Sequence, residues 1–466
     1  MPGRQHFAME QNRSNANVGQ TSQSLPARLS RRAILGRAIA VGLSLASTTS
    51  LLQGCGTTNT IKSSLNFANW ASAETATRND INKAVSVFEQ QNNVQVNNIG
   101  MPFDEALAQL TELIRAHITL DVMELSGNWP YALAGIGALA DLGPYVAADW
   151  YQDAFPNSFA AGTYKGVLYA VPFSITPHGL WYNKILLSGA GLNPAYPPRT
   201  MHELNQAMTV LRAKLPANSY PIALDTSATE YALVGFWPWI WTFGGNPMAD
   251  DGRGNVTINW ADDGTVAAFQ WLQDAVKKRW TPPNLAIKAE RELMAEGTIV
   301  FKLDGPYLTG ILGSINPAFS TVQQVNNTFG VTTTPTGPSI TQPVTCADIH
   351  NLGIASSSAN KNLAWKLINF LTTSPAVITT FLIPEGGMLP RRSYDITSRW
   401  YSHFYADPIS RAFIDSIIPT MRPPAYGPRY STAAQVIVTA LREIANGAAV
   451  RPRLLKLTEE VKAIYV

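Results

Sequence analysis

Aromatic side chains stand beside amides, carboxylates and paired glycines at several points of this sequence. Asn69-Trp70 is followed by Glu74, Asn128 by Trp129, and Glu230 precedes Trp237-Pro-Trp239-Ile-Trp241. Further along come Gly-Pro-Tyr307, Gly386-Gly387 and the pair Tyr426 and Tyr430. Ring faces of this kind cover the flat C–H faces of a neutral sugar at low entropic cost. Carboxylates and amides take the hydroxyl hydrogen bonds, more strongly where the acceptor is charged. Three or four stacks with a few such bonds reach about −8 kcal/mol, a micromolar affinity. Residues two apart on a helix do not share a face. The three clustered tryptophans therefore cannot all meet one ligand; Trp239 and Trp241 are each taken as a candidate, with core packing as the default. Gly386 and Gly387 could bring backbone N–H groups close to a ligand or simply make a turn.

Catalytic and cofactor signatures are scarce. The sequence has no Gly-x-x-x-x-Gly-Lys-Ser/Thr, no His-Glu-x-x-His and no Gly-x-Ser-x-Gly. Gly135-Ile-Gly137-Ala-Leu-Ala140 fits a dinucleotide fingerprint formally, but inside what reads as helix and turn. Cys346 and His350 have the spacing of a metal pair without a second pair of ligands. No metal and no cofactor are expected, and Cys346 reads as a small buried hydrophobe. Glu230 and Asp304 could form the carboxylate pair of a glycoside hydrolase, the one enzymatic reading, which needs the two about 5–10 Å apart. Arg391-Arg392 could hold a phosphate or carboxylate head, although a surface ion pair suits them better.

Charge points the same way. The chain carries a net +3, but its first 54 residues hold six Arg and one Glu, leaving −2 for the rest. Only 14% of residues are charged. A mildly acidic body without basic runs gives no reason to expect nucleic acid. The basic segment itself reads as an address. Ser30-Arg31-Arg32-Ala33-Ile34-Leu35 resembles a twin-arginine export signal, and the moderately apolar run 38–52 is too short and polar to span a bilayer. Leu52-Gln53-Gly54-Cys55 resembles a lipobox, which implies a diacylated Cys55 and a body tethered to the membrane outside the cytoplasm.

The elements that must position these residues alternate between strand and helix. Residues 65–70, 94–99 and 120–125 read as strands. Ile81, Ala84, Val85 and Phe88 mark an amphipathic helix between the first two, and Asp104 is read as the cap of a helix between the next two. This spacing predicts parallel α/β units, with ligands beyond the carboxyl ends of the strands, where Trp70 and Asn128-Trp129 lie. Residues 167–171 alternate as a strand. Pro172 and Pro177 then bracket a break, and residues 179–183 read as a new strand. Thr200-Met-His-Glu203 is a capping box. Residues 299–303 form an apolar strand before Asp304, and amphipathic helices cover 361–372 and 431–446.

The run from Tyr164-Lys-Gly-Val-Leu-Tyr-Ala-Val-Pro-Phe173 to Leu180-Trp-Tyr-Asn-Lys184 closely resembles the inter-lobe crossing of bacterial solute-binding proteins of the maltose-binding class. Ordered matches continue through Gly137–Leu142, Leu186–Leu204, Phe243–Gly245, Glu296–Tyr307, Asn360–Thr373 and Gly386–Arg391. The resemblance implies two discontinuous α/β lobes, 61–175 with 351–392 and 176–350 with 393–466, behind a signal peptide 1–54 and a tethered linker 55–60. Crossings fall near 175, 350 and 393, and the inter-lobe cleft closes on ligand by hinge motion. It also implies a monomer that is not an enzyme, which captures a mono- or oligosaccharide and delivers it to the permease of an ABC transporter. Glycerol phosphate or another small anion is the alternative cargo. By position Tyr307 matches a sugar-stacking aromatic, as do Tyr426 and Tyr430. Asn128 and Trp129 match a polar pair that is often charged in relatives, a departure that argues against a maltodextrin. Ser174 to His178 would form the cleft floor, with Thr176 and His178 as polar contacts.

Overall fold

Continuous apolar runs and short helices sort the chain into two main sheets, beside three two-stranded ribbons among the described residues. The computed structural model describes residues 63–465 apart from 76, 252–254 and 397–399. The export signal, the lipobox and Cys55 lie outside the described residues. Strands β1 (Ser64–Asn69), β2 (Gln95–Gly100) and β3 (Val122–Ser126) are parallel, joined by helices α1 (Arg78–Asn92) and α2 (Phe103–Arg115). Helix α1 buries Ile81, Ala84, Val85 and Phe88, the residues that its i, i+3, i+4, i+7 spacing marks. Helix α2 begins one residue before Asp104, with Pro102 at its cap, so Asp104 is not the N-cap. Every residue of β3 is buried, as expected for a central strand covered on both faces. After it comes α3 (Trp129–Gly135), then β4 (Ala170–Ile175) on the edge of the same sheet.

Pro172 does not end that strand. Proline cannot donate to a ladder, but an edge strand or a bulge tolerates it. β4 has both features, because its pairing shifts register beside Pro172. The break falls at residues 176–178, where the chain leaves for the second sheet as β5 (Gly179–Asn183). Helix α4 (Met201–Lys214) starts at the Thr200–Glu203 capping box, and β6 (Tyr220–Ala223) follows. Next come α5 (Ala232–Thr242), α6 (Asp263–Lys277), α7 (Ile287–Ala295), β7 (Ile299–Asp304), α8 (Leu308–Ile315) and β8 (Phe329–Thr332). The second sheet has the order β8-β5-β7-β6, with β5 antiparallel to both neighbours and β7 parallel to β6.

The chain returns to the first sheet as β9 (Ile349–Ile354), between β3 and β4 and antiparallel to both. Helix α9 (Lys361–Thr373) packs there through Leu367, Ile368 and Leu371. Met388 exchanges backbone hydrogen bonds with Ile175, which ties the chain beyond β9 to the end of β4. Helices α10 (Tyr430–Ala445) and α11 (Val450–Tyr465) bury Ile437, Leu441, Leu454 and Leu457 in the same core as α5 and α6. Residues 61–466 form one compact unit. Among the described residues no single helix is long and apolar enough to cross a membrane.

Candidate ligand-binding cleft

A cavity of about 320 Å³ lies between the two sheet-centred halves. Phe103, Leu107 and Ser126–Trp129 line it from the first half, Glu230, Tyr231, Trp237, Tyr426 and Tyr430 from the second, and Asp348 from the stretch that joins β8 to β9. Its first wall is the carboxyl end of β3. Gly127 turns there at φ +44, a left-handed conformation that glycine adopts without strain. Asn128 and Trp129 are thereby delivered to the cavity at the start of α3.

The opposite wall follows from helix phase. Trp237 and Trp241 are four apart and stack on one side of α5, with centroids 5.6 Å apart, while Trp239 packs at 4.9 Å against Trp271. Of the three, Trp237 lines the cavity, and its Nε1 donates to Tyr430 Oη at 2.7 Å. Trp239 and Trp241 are core residues, the latter beneath the Arg422 guanidinium at 4.8 Å. The Trp237–Tyr430 bond explains how this buried tryptophan can line the cavity without an unsatisfied N–H.

One chain of hydrogen bonds crosses from half to half. Asn128 Nδ2 donates to Ser431 Oγ at 2.8 Å, and Ser431 Oγ donates to Glu230 Oε1 at 3.3 Å. Burial pushes the Glu230 carboxyl up to about 7, even though Ser431 and Asn128 favour its charged form. Asp348 is also pushed up to about 7, by burial first and then by the nearby Asp304 and Glu385.

A second polar network lies deeper. Tyr231 Oη and Tyr307 Oη are 2.5 Å apart, and His178 Nε2 meets them at 3.1 and 3.2 Å. Burial holds His178 neutral, its pKa lowered to about 3, and leaves its Nδ1 without a partner. Thr176 Oγ1 donates to the backbone carbonyl of Asp348 at 3.0 Å and so ties the first crossing to the second. Gly386 sits at φ +91, where a Cβ would come within 2.8 Å of Tyr307 Cα. At Gly387 a Cβ would overlap Ser174 Oγ, while its N–H donates to Glu385. Both glycines therefore serve close backbone packing.

Trp70 lies behind Trp129, edge-on at 5.7 Å, and also edge-on to His350 at 4.9 Å. His350 Nδ1 approaches Glu124 and Glu385 at 3.9 and 3.8 Å, and burial lowers its pKa to about 4. Burial raises Glu385 to about 7 and Glu124 well above its ordinary range, and the Glu74 charge adds to both. Glu74 itself is exposed.

Asp304 has a different environment. Burial alone would raise it, but a bidentate Arg291 at 2.9 Å and Lys302 at 3.4 Å hold it well below the usual carboxylate range. A carboxylate locked in this way cannot move protons as the partner of Glu230, so the hydrolase pair is not formed. Arg391 pairs with Asp149 at 3.3 Å and stacks on Trp150, away from the cavity. Cys346 is buried, and burial raises its thiol well above the ordinary value.

Asn128, Trp129, Glu230, Tyr426 and Tyr430 thus come together around the cavity, with His178 and Tyr307 one hydrogen bond behind Tyr231. Thr176, Trp70, Gly386 and Gly387 support that wall. Phe103, Tyr231, Trp237 and Asp348 line the cavity without having been singled out in the sequence. The stretch Asp348-Ile-His350, two ionisable residues at the head of an apolar strand, is the one signal that could have found Asp348.

The chain belongs to the bacterial extracellular solute-binding protein family, whose pattern matches residues 83–392. Membership makes it an extracytoplasmic binding protein. It is 23% identical to a Brucella abortus binding protein over 61% of this chain, and spans 66% of that relative's length. Its fold is shared with an ABC transporter solute-binding protein from Thermotoga lettingae bound with α-D-tagatose. That match has a TM-score of 0.71 and 22% identity, and covers 87% of this chain and all of the other. UgpB from Mycobacterium tuberculosis, in complex with glycerophosphocholine, matches with a TM-score of 0.71 and 19% identity over 87% of this chain and 98% of its own.

Proposed function

We propose that this protein captures a mono- or oligosaccharide by closing its two halves on it and hands it to the permease of an ABC transporter. The observation that carries the reading is the cavity itself. Aromatic faces line it from both halves, and Asn128 and Glu230 meet across it through Ser431. A ligand held by both walls favours the closed form, whereas one held by a single wall shifts nothing. The proposal includes tethering at a lipidated Cys55, action as a monomer, and lobe boundaries near 175, 350 and 393.

An anionic cargo is less well supported. Among the described residues no Lys, Arg or His lines the cavity. A thermal-shift screen of mono- to tetrasaccharides against glycerol 3-phosphate tests the choice, because ligand at 100 times Kd adds about 2.7 kcal/mol. Stabilisation by a saccharide, confirmed by calorimetric titration, is the expected result. Stabilisation by the phosphate alone overturns the reading.

A further inference from the structure

Six aromatic residues face one small space: Phe103 and Trp129 from one half, Tyr231, Trp237, Tyr426 and Tyr430 from the other. That lining also holds two carboxyl groups, those of Glu230 and Asp348. Among the described residues no lysine or arginine lies within ion-pair distance of either, and the one histidine near Asp348, His178 at 4.0 Å, is held neutral. Neutral ligand hydroxyls need acceptors, but amides or backbone carbonyls supply these without two acids, half-buried Glu230 and buried Asp348, lining one small space. Burying a carboxyl without a counter-charge is costly, and an aromatic enclosure is itself attractive to an ammonium group through the negative ring faces.

We infer that the ligand carries a protonated amine held among these rings against Glu230 and Asp348, and is therefore an amino sugar rather than a neutral one. This rests on the saccharide reading of the same cleft. The cation supplies a charged partner at ion-pair distance, which neither carboxyl has among the described residues. Its C–H-rich body occupies the ring faces, and Asn128 remains for a hydroxyl.

The test is calorimetric titration of the full chain with a matched set: glucosamine disaccharide, its N-acetylated form, cellobiose, choline and glycerol 3-phosphate. The amine should bind at least about tenfold more tightly than its N-acetylated and hydroxyl counterparts, a gap of about 1.4 kcal/mol. Glu230→Gln and, separately, Asp348→Asn should narrow that gap, with folding checked by circular dichroism. Equal or tighter binding of cellobiose or the N-acetylated sugar overturns the inference and leaves the saccharide reading intact. Binding of choline with no saccharide bound upholds the positive charge and overturns the saccharide reading. Binding of glycerol phosphate alone overturns both, and failure of every amine to bind at millimolar concentration overturns the inference.

Discussion

Asn128→Ala is the perturbation whose consequence follows most directly from the geometry. The amide is nearly buried, and its donation to Ser431 Oγ at 2.8 Å joins residues on opposite walls. A hydrogen bond of this kind contributes about 0.5–1.5 kcal/mol net. It exists only while the halves are together, so its loss acts on the closed form alone. The closed-to-open ratio should fall roughly 2- to 13-fold, and the Kd for any ligand gripped from both sides should rise by the same factor. Stability of each half should barely change, because neither core loses a contact. Ser431→Ala removes the donor to Glu230 as well. Its effect should be larger, and the losses in the double variant should be less than additive, since both residues belong to one network around Glu230. Calorimetric titration with the tightest saccharide of the screen measures the ratio. Wild-type affinity in both single variants, or fully additive losses in the double, refutes the idea that this chain of bonds holds the halves closed.

Three further outcomes follow from the packing around the cleft. Asp304→Asn should destabilise the protein by about 3 kcal/mol, because it leaves Arg291 without its carboxylate while Lys302 keeps only Glu290; chemical denaturation would measure it, and a change under 1 kcal/mol contradicts the assignment. Gly386→Ala forces a Cβ against Tyr307 Cα from a left-handed backbone, so the melting temperature should drop and saccharide affinity fall with it, whereas Gly310→Ala, whose nearest neighbour would be 3.7 Å away, should be silent. Stability should also depend on pH with a definite sign. Glu230, Asp348 and Glu385 titrate near 7 in the folded protein and near 4 in the unfolded chain, so the folded state holds the extra protons and loses stability as pH rises towards 7. His178 and His350, lowered to about 3 and 4, act in the opposite sense below about 6.5 and partly cancel the fall there. The groups facing these carboxyls are the neutral hydroxyls of Tyr231, Tyr307 and Tyr430, the fixed charges of Arg291 and Asp304, and the acids Glu74 and Glu124, so none reverses the sign. Calorimetric scans should find the steepest decline between about pH 6.5 and 7; a melting temperature that rises over that interval contradicts the burial of uncharged carboxyls.

Much of the architecture was legible because burial writes periodicity into sequence. The alternating strands and helices of 64–126 and the capping box at Thr200 could be read locally. Asn128 and Trp129 could be placed at the cleft because they follow the carboxyl end of a strand. The choice among Trp237, Trp239 and Trp241 could not, since their mutual helical phase says which two share a side but not which side meets the other half. Pro172 misled for the opposite reason: a local breaker is harmless on an edge strand, and edge position is a tertiary fact. The buried acids Glu124, Asp348 and Glu385 were missed because their importance lies in what is absent around them, which only packed coordinates reveal. Glu124 within Val-Met-Glu-Leu and Lys302 within Ile-Val-Phe-Lys-Leu-Asp were visible as charges inside strands buried on both faces. That anomaly is the signal most worth reading in a sequence of this kind.

The central claim, a ligand clamped from two sides, is tested most directly by a distance between the halves. Lys83 on α1, which packs in the first half, and Lys456 on α11, which packs in the second, are both exposed. Pulsed electron spin measurements on labels at cysteines introduced there, with Cys346 buried beneath the surface, would follow closure. A saccharide that stabilises the protein should also collapse the distances to a single short, narrow population. Saccharide binding with an unchanged distance distribution would contradict it.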